Sequence, residues 1–141
     1  MSKTKTMLAM LALGATVAFA GPAFAEKMKA TLDGKSEVPA NTSTGKGTAD
    51  IDYDAATKKL TWTVTYSGLS GPATAAHFHG PAEPGKNAGV AVAIPNAGTS
   101  PVSGSATLTD AQAADLAAGK YYVNIHTAAN PGGEIRGQVT K

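Results

Sequence analysis

The chain has 141 residues, with 12 lysines and arginines against 10 aspartates and glutamates, three histidines and no cysteine. Lys3 and Lys5 account for the whole positive excess, so the remainder is neutral and lacks the basic run that marks nucleic-acid or anionic-membrane binding. Without cysteine there are no disulfides, and the fold has to rest on its core.

The N-terminus reads as a secretory leader. Lys3 and Lys5 form a basic start, Met7 to Phe19 is an apolar run, and Ala23-Phe24-Ala25 is a small-x-small cleavage signature. The run is shorter than the roughly 20 apolar residues of a spanning helix, and Gly14, Gly21 and Pro22 interrupt and close it. The expected division is a signal peptide over 1–25 and one domain over 26–141, exported to the periplasm or beyond, with no membrane insertion after cleavage.

In chain order, Glu26 to Asp33 alternates loosely and reads as a strand closed by Asp33-Gly34, and Ser36 to Gly45 reads as a loop. Gly47 to Asp54 sets Ala49, Ile51 and Tyr53 against Thr48, Asp50 and Asp52, and Lys59 to Ser67 sets Leu60, Trp62, Val64 and Tyr66 against three threonines. These two strands form a hairpin through Ala55 to Lys58. The alternating aspartates lack the glycine and glutamate of a calcium loop and read as a solvated strand face. Ala73 to His79 is the next strand, broken by Gly80-Pro81. Gly89 to Ile94, apolar on both faces, reads as an interior strand, and Val102 to Leu108 as another.

Thr109 with Gln112 three positions on is a capping box, and it opens the one expected helix, Asp110 to Ala118, which Gly119 stops. Lys120 to Thr127 and Glu134 to Thr140 are the last two strands, joined by Asn130-Pro131-Gly132-Gly133 with a type II turn and a positive φ at the glycine after the proline. Seven or eight short strands with one short helix describe an all-β, antiparallel Greek-key sandwich.

Alternation then sorts the faces. Tyr121, Val123 and Ile125 read as core, which puts Tyr122, Asn124 and His126 on the outer face. Ile135 and Val139 point inward, so Glu134, Arg136 and Gln138 lie outward beside that row. Asn124, His126, Glu134 and Arg136 are thus expected to form one polar patch. His77 and His79 share a face with Ala73 and Ala75, opposite Phe78. Their Cα atoms lie roughly 6.5 to 7 Å apart on a strand, close enough for two rings to converge on one atom.

Neutral imidazole binds zinc or copper at about 2.0 to 2.1 Å, and three protein ligands leave one position open. His77, His79 and His126 are the candidate ligands, with Glu134 or Asn124 to orient a ring nitrogen and Arg136 beside them in the polar patch. A nucleophilic hydrolase lacks its parts, since there is no cysteine and no Gly-x-Ser-x-Gly. The expectation is a protein without catalytic residues.

Ala76-His77-Phe78-His79-Gly80-Pro81-Ala82, Gly119-Lys120-Tyr121-Tyr122-Val123-Asn124-Ile125-His126-Thr127 and Asn130-Pro131-Gly132-Gly133-Glu134-Ile135-Arg136-Gly137-Gln138 together resemble the CHRD domain, named for its repeats in chordin. The resemblance spans nearly all of 26–141. It implies a β-rich extracellular domain with no established catalysis. The cysteine-rich modules through which chordins bind growth factors have no counterpart here. A fainter similarity is to copper/zinc superoxide dismutase, which also places a His-x-His strand on copper. The three histidines and missing cysteines exclude its full two-metal site. Two expectations result: a non-catalytic exported module whose polar patch serves structure or binds a protein or small-ligand partner, and an exported protein holding copper or zinc on three histidines.

Overall fold

The computed structural model describes residues 14–17 and 25–141. Most of the expected signal peptide therefore lies outside the described residues. Among the described residues, no helix is long and apolar enough to cross a membrane.

Period-two sequences become strands because each can bury one face. The elements are β1 (Glu26–Asp33), β2 (Lys46–Asp54), β3 (Lys59–Ser67), β4 (Ala73–His79), β5 (Val90–Ala93), β6 (Val102–Thr107), α1 (Asp110–Ala117), β7 (Tyr122–Thr127) and β8 (Ile135–Gln138). All pairings are antiparallel, in one hydrogen-bonded series, β5-β4-β7-β8-β1-β2-β3-β6. The non-consecutive neighbours β4–β7, β8–β1 and β3–β6 give the series its Greek-key crossings.

The series folds over on itself. Trp62 of β3 and Phe78 of β4 are separated by four strands in the series, yet their rings meet edge-on with centroids 5.3 Å apart. Leu32, Ile51, Leu60 and Val64 from one half face Val123, Ile125 and Ile135 from the other in a single buried core. This is the expected all-β sandwich, with its two layers continuous through the β8–β1 junction. Helix α1 bridges the two free edges. It follows β6 directly, its Thr109–Gln112 capping box is formed, Leu116 is buried, and Gln112 Nε2 donates to the Ala91 carbonyl of β5 at 3.0 Å.

Three local expectations are corrected. The strand read as interior, β5, is an edge strand. Its one strand partner is β4, its end Val90 is exposed, and its apolar sequence reflects Ala91 and Val92 each packing partly against the core. Ala73 does not share a face with the histidines. The β4–β7 register shifts between Ala73 and Ala75, and this turns Ala73 into the core with Ala76 and Phe78. In the closing hairpin the positive φ belongs to Gly133 rather than Gly132, and Gly133 N donates to the Asn130 carbonyl at 3.0 Å.

Candidate functional site

The outer face of β4, β7 and β8 carries the histidines. Cross-strand register sets Ala75 against His126, His77 against Asn124, His79 against Tyr122, and Asn124 against Arg136. The polar contacts of the rings run diagonally, two positions off register. His77 Nδ1 and His126 Nε2 are 3.1 Å apart, and His79 Nε2 lies 2.8 Å from Asn124 Oδ1. Ala75, opposite His126, adds too little bulk to keep its ring from reaching over to His77.

Loops cover this face, so the expected polar patch is a buried layer rather than a surface. Residues 34–45 and 80–89 lie across it and leave Asn124 and Arg136 2 % exposed. Arg136 Nη1 donates to Asn87 Oδ1 at 2.9 Å, its Nη2 donates to the Lys86 carbonyl, and its guanidinium sits 3.4 Å over the Tyr122 ring. Tyr122 is in turn stacked parallel on His79 with ring centroids 4.8 Å apart. Tyr122 Oη donates to the Ala88 carbonyl and accepts from the Ala88 N–H. Gln138 Nε2 closes the far end on the carbonyls of Ala82 and Gly119. Polar groups this deep have to be paired, and the loops supply the partners.

Glu134 lies apart from the histidines. It precedes β8 and is fully buried, and its carboxylate accepts from Ser70 N, Ser70 Oγ, Ser43 Oγ, Thr127 Oγ1 and Asn130 Nδ2. Burial pushes its pKa up, but those donors outweigh it and hold the group at about 2, ionised at neutral pH. It ties three loops together and makes none of its hydrogen bonds to a histidine. Of the residues expected around the rings, Asn124 reaches one directly and Arg136 reaches one through Tyr122.

Glu37 is the residue that sequence reasoning missed. It enters from the covering loop, is buried, and has a pKa raised to about 7 by desolvation against the opposing pull of Arg136 and Asn124. Its Oε1 has no hydrogen-bond partner among the described residues. A single acidic residue in a loop leaves no periodic trace, so no sequence signal pointed to it.

The ring protons follow from the acceptors. A carbonyl oxygen only accepts, so His126 Nδ1 donates to Pro131 at 2.8 Å and His79 Nδ1 donates to Ala88 at 3.0 Å. His126 Nε2 then carries a lone pair, which His77 Nδ1–H meets in the metal-free protein; moving that proton to His77 Nε2 leaves both facing nitrogens with lone pairs for an ion. Burial, then the neighbouring histidines, push the pKa of His77 down. Burial also lowers that of His79, against its bonds to Ala88 and Asn124. Burial thus favours, in both rings, the neutral form that ligates metals. One ring nitrogen from each of His77, His79 and His126 falls within 4.8 Å of the others.

The CHRD domain model matches residues 28–139. The chain belongs to the CHRD family. The match runs from the buried Met28 of β1 to Val139 just after β8, so the CHRD domain includes every element that carries or covers the histidines. No curated protein and no solved structure is a detectable match to this CHRD domain.

Proposed function

We propose that this CHRD domain is an exported, non-catalytic module that holds a divalent transition metal, copper(II) or zinc, on His77, His126 and His79. The observation that carries the reading is the 3.1 Å separation of His77 Nδ1 and His126 Nε2, in a group where one nitrogen from each of the three rings lies within 4.8 Å of the others. Two nitrogens bonded to one ion at about 2.0 Å stand about 2.8 Å apart in a tetragonal arrangement and about 3.3 Å apart in a tetrahedral one. The observed pair lies between those values.

The donor set is imidazole alone, which suits zinc and copper(II), with copper(II) the tighter by the usual order of divalent affinities. Arg136 and Glu134 are occupied by the loops, which supports a structural use of the polar layer and leaves the facing nitrogens of His77 and His126 as the groups open to a ligand. The leader pattern around Lys3, Lys5 and Ala23-Phe24-Ala25 supports export. It is tested by the mass of the chain recovered outside the cytoplasm, which should begin at Glu26.

Metal binding is tested by dialysing the protein against copper(II) or zinc and measuring retained metal. One equivalent is expected, with most of it lost in His126→Ala. Retention far below one equivalent, or retention unchanged in His126→Ala, rejects the reading.

A further inference from the structure

Glu37 stands alone in a polar layer whose other buried members, His79, Asn124, Thr127, Glu134 and Arg136, are all hydrogen-bonded. It is 6 % exposed, and its Oε1 has no partner among the described residues. A buried carboxyl without a donor is costly, and a donor brought in by a ligand would relieve that cost.

The room for such a ligand lies between the two covering loops. A cleft of about 240 Å³ has an exposed rim of Lys35, Pro84 and Gly85 over a floor of Glu37, Arg136 and Gln138. Arg136 has donors to spare. Its guanidinium carries five N–H groups, and two of them are given away, to Asn87 Oδ1 and the Lys86 carbonyl. Carboxyl and guanidinium do not meet in an ion pair, although Arg136 is near enough to draw the Glu37 pKa down against burial. Two opposite charges thus border one cleft without being joined across it. The cleft is smaller than the roughly 300 Å³ at which sites for drug-sized molecules begin, so its occupant is small. Glu37 also borders a second cleft, toward Pro131 and Gly133, but no basic side chain lines that one.

We propose that this cleft binds a small zwitterion, a free amino acid or close homologue, with its ammonium on the Glu37 carboxylate and its carboxylate on the unused N–H groups of Arg136. Charge complementarity at both ends selects such a ligand over a simple amine or acid, and the planar guanidinium suits a carboxylate. Bound there, it ties residues 35–38 of one covering loop to residues 84–85 of the other. No histidine lines the cleft, so the proposal stands apart from the metal reading.

The test is a titration of the whole protein, stripped of metal on a chelating resin, with glycine, β-alanine and γ-aminobutyrate, followed by nitrogen–proton correlation NMR. The three probes differ in the spacing of the same two charges. At least one should shift the Arg136 Nε–H and the backbone amides of Glu37 and Gly85 saturably, with a midpoint at or below about 1 mM. Methylamine and acetate carry one charge each and should bind at least about tenfold more weakly. Glu37→Gln keeps the shape of the side chain without its charge and should weaken the best zwitterion by about tenfold or more.

The absence of a saturable shift with all three zwitterions at about 10 mM would overturn the proposal. So would saturable shifts confined to other residues, methylamine or acetate binding as tightly as the best zwitterion, or unchanged affinity in a folded Glu37→Gln. If Glu37→Gln fails to give a cooperative melt, the comparison of zwitterions with methylamine and acetate on the wild type decides alone. Every arm is free of metal, so its failure leaves the metal reading standing.

Discussion

Replacing Glu134 by glutamine should unfasten the loops that cover the outer face, and its cost can be worked from the site. The carboxylate accepts from Ser70 N at 2.9 Å, Ser43 Oγ at 3.0 Å, Thr127 Oγ1 at 2.8 Å and Asn130 Nδ2 at 3.1 Å, as well as from Ser70 Oγ. A glutamine turns an NH2 group toward some of these donors and removes the charge they converge on. The pKa held at about 2 against an ordinary 4.5 corresponds to about 3 kcal/mol of preference for the ionised form in the folded state.

The folded pKa is the lower one, so this stability is fully present above the unfolded pKa and disappears as pH falls through the folded value. Urea unfolding of both proteins should therefore show Glu134→Gln less stable by about 3 kcal/mol at pH 7, with the gap closing as pH drops from about 4.5 toward 2. A gap below about 1 kcal/mol at pH 7, or one that stays the same across that range, would refute the role assigned to the carboxylate.

Gly137→Ala places a Cβ against the Thr31 backbone carbonyl, where β8 runs beside β1. Overpacking against backbone should cost at least about 2 kcal/mol in denaturant unfolding. Trp62→Ala removes the ring that meets Phe78 across the two halves and should cost about 3 to 5 kcal/mol. It is best followed by circular dichroism, because Trp62 is the chain's one tryptophan. Thr109→Ala removes the side-chain acceptor for Gln112 N at the start of α1 and should lower stability by about 1 kcal/mol in the same assay.

What was legible in the sequence was whatever a local period or cap encodes. Ala49, Ile51 and Tyr53 against Thr48, Asp50 and Asp52 gave β2 and its buried face, and Thr109 with Gln112 gave the helix start. The split of Tyr121, Val123 and Ile125 from Tyr122, Asn124 and His126 was also sound, because β7 runs without a register shift against β8.

Tertiary facts were not legible. Tyr122, Asn124 and Arg136 are buried because loops 34–45 and 80–89 fold over them, and nothing in the alternation of β7 or β8 records what lies above it. The shift between Ala73 and Ala75 rotates one alanine into the core with no change in composition. Among the site residues, the meeting of His77 and His126 follows from spacing and pairing, whereas the locking of His79 depends on Ala88 and Asn124, contacts nine and 45 residues away. Glu134 looked like a neighbour of the rings because strand alternation alone was counted. Its place just before β8 aims it at Ser43 and Ser70 instead.

A metal held between His77 and His126 has one expected position in the structure. Crystals of the copper-loaded protein, measured at the copper absorption edge, test it most directly. A single strong anomalous peak is expected within about 2.0 to 2.1 Å of both His77 Nδ1 and His126 Nε2. A peak elsewhere, such as on the exposed Asp50 and Asp52 face, or no peak in a protein loaded with one equivalent, would contradict it.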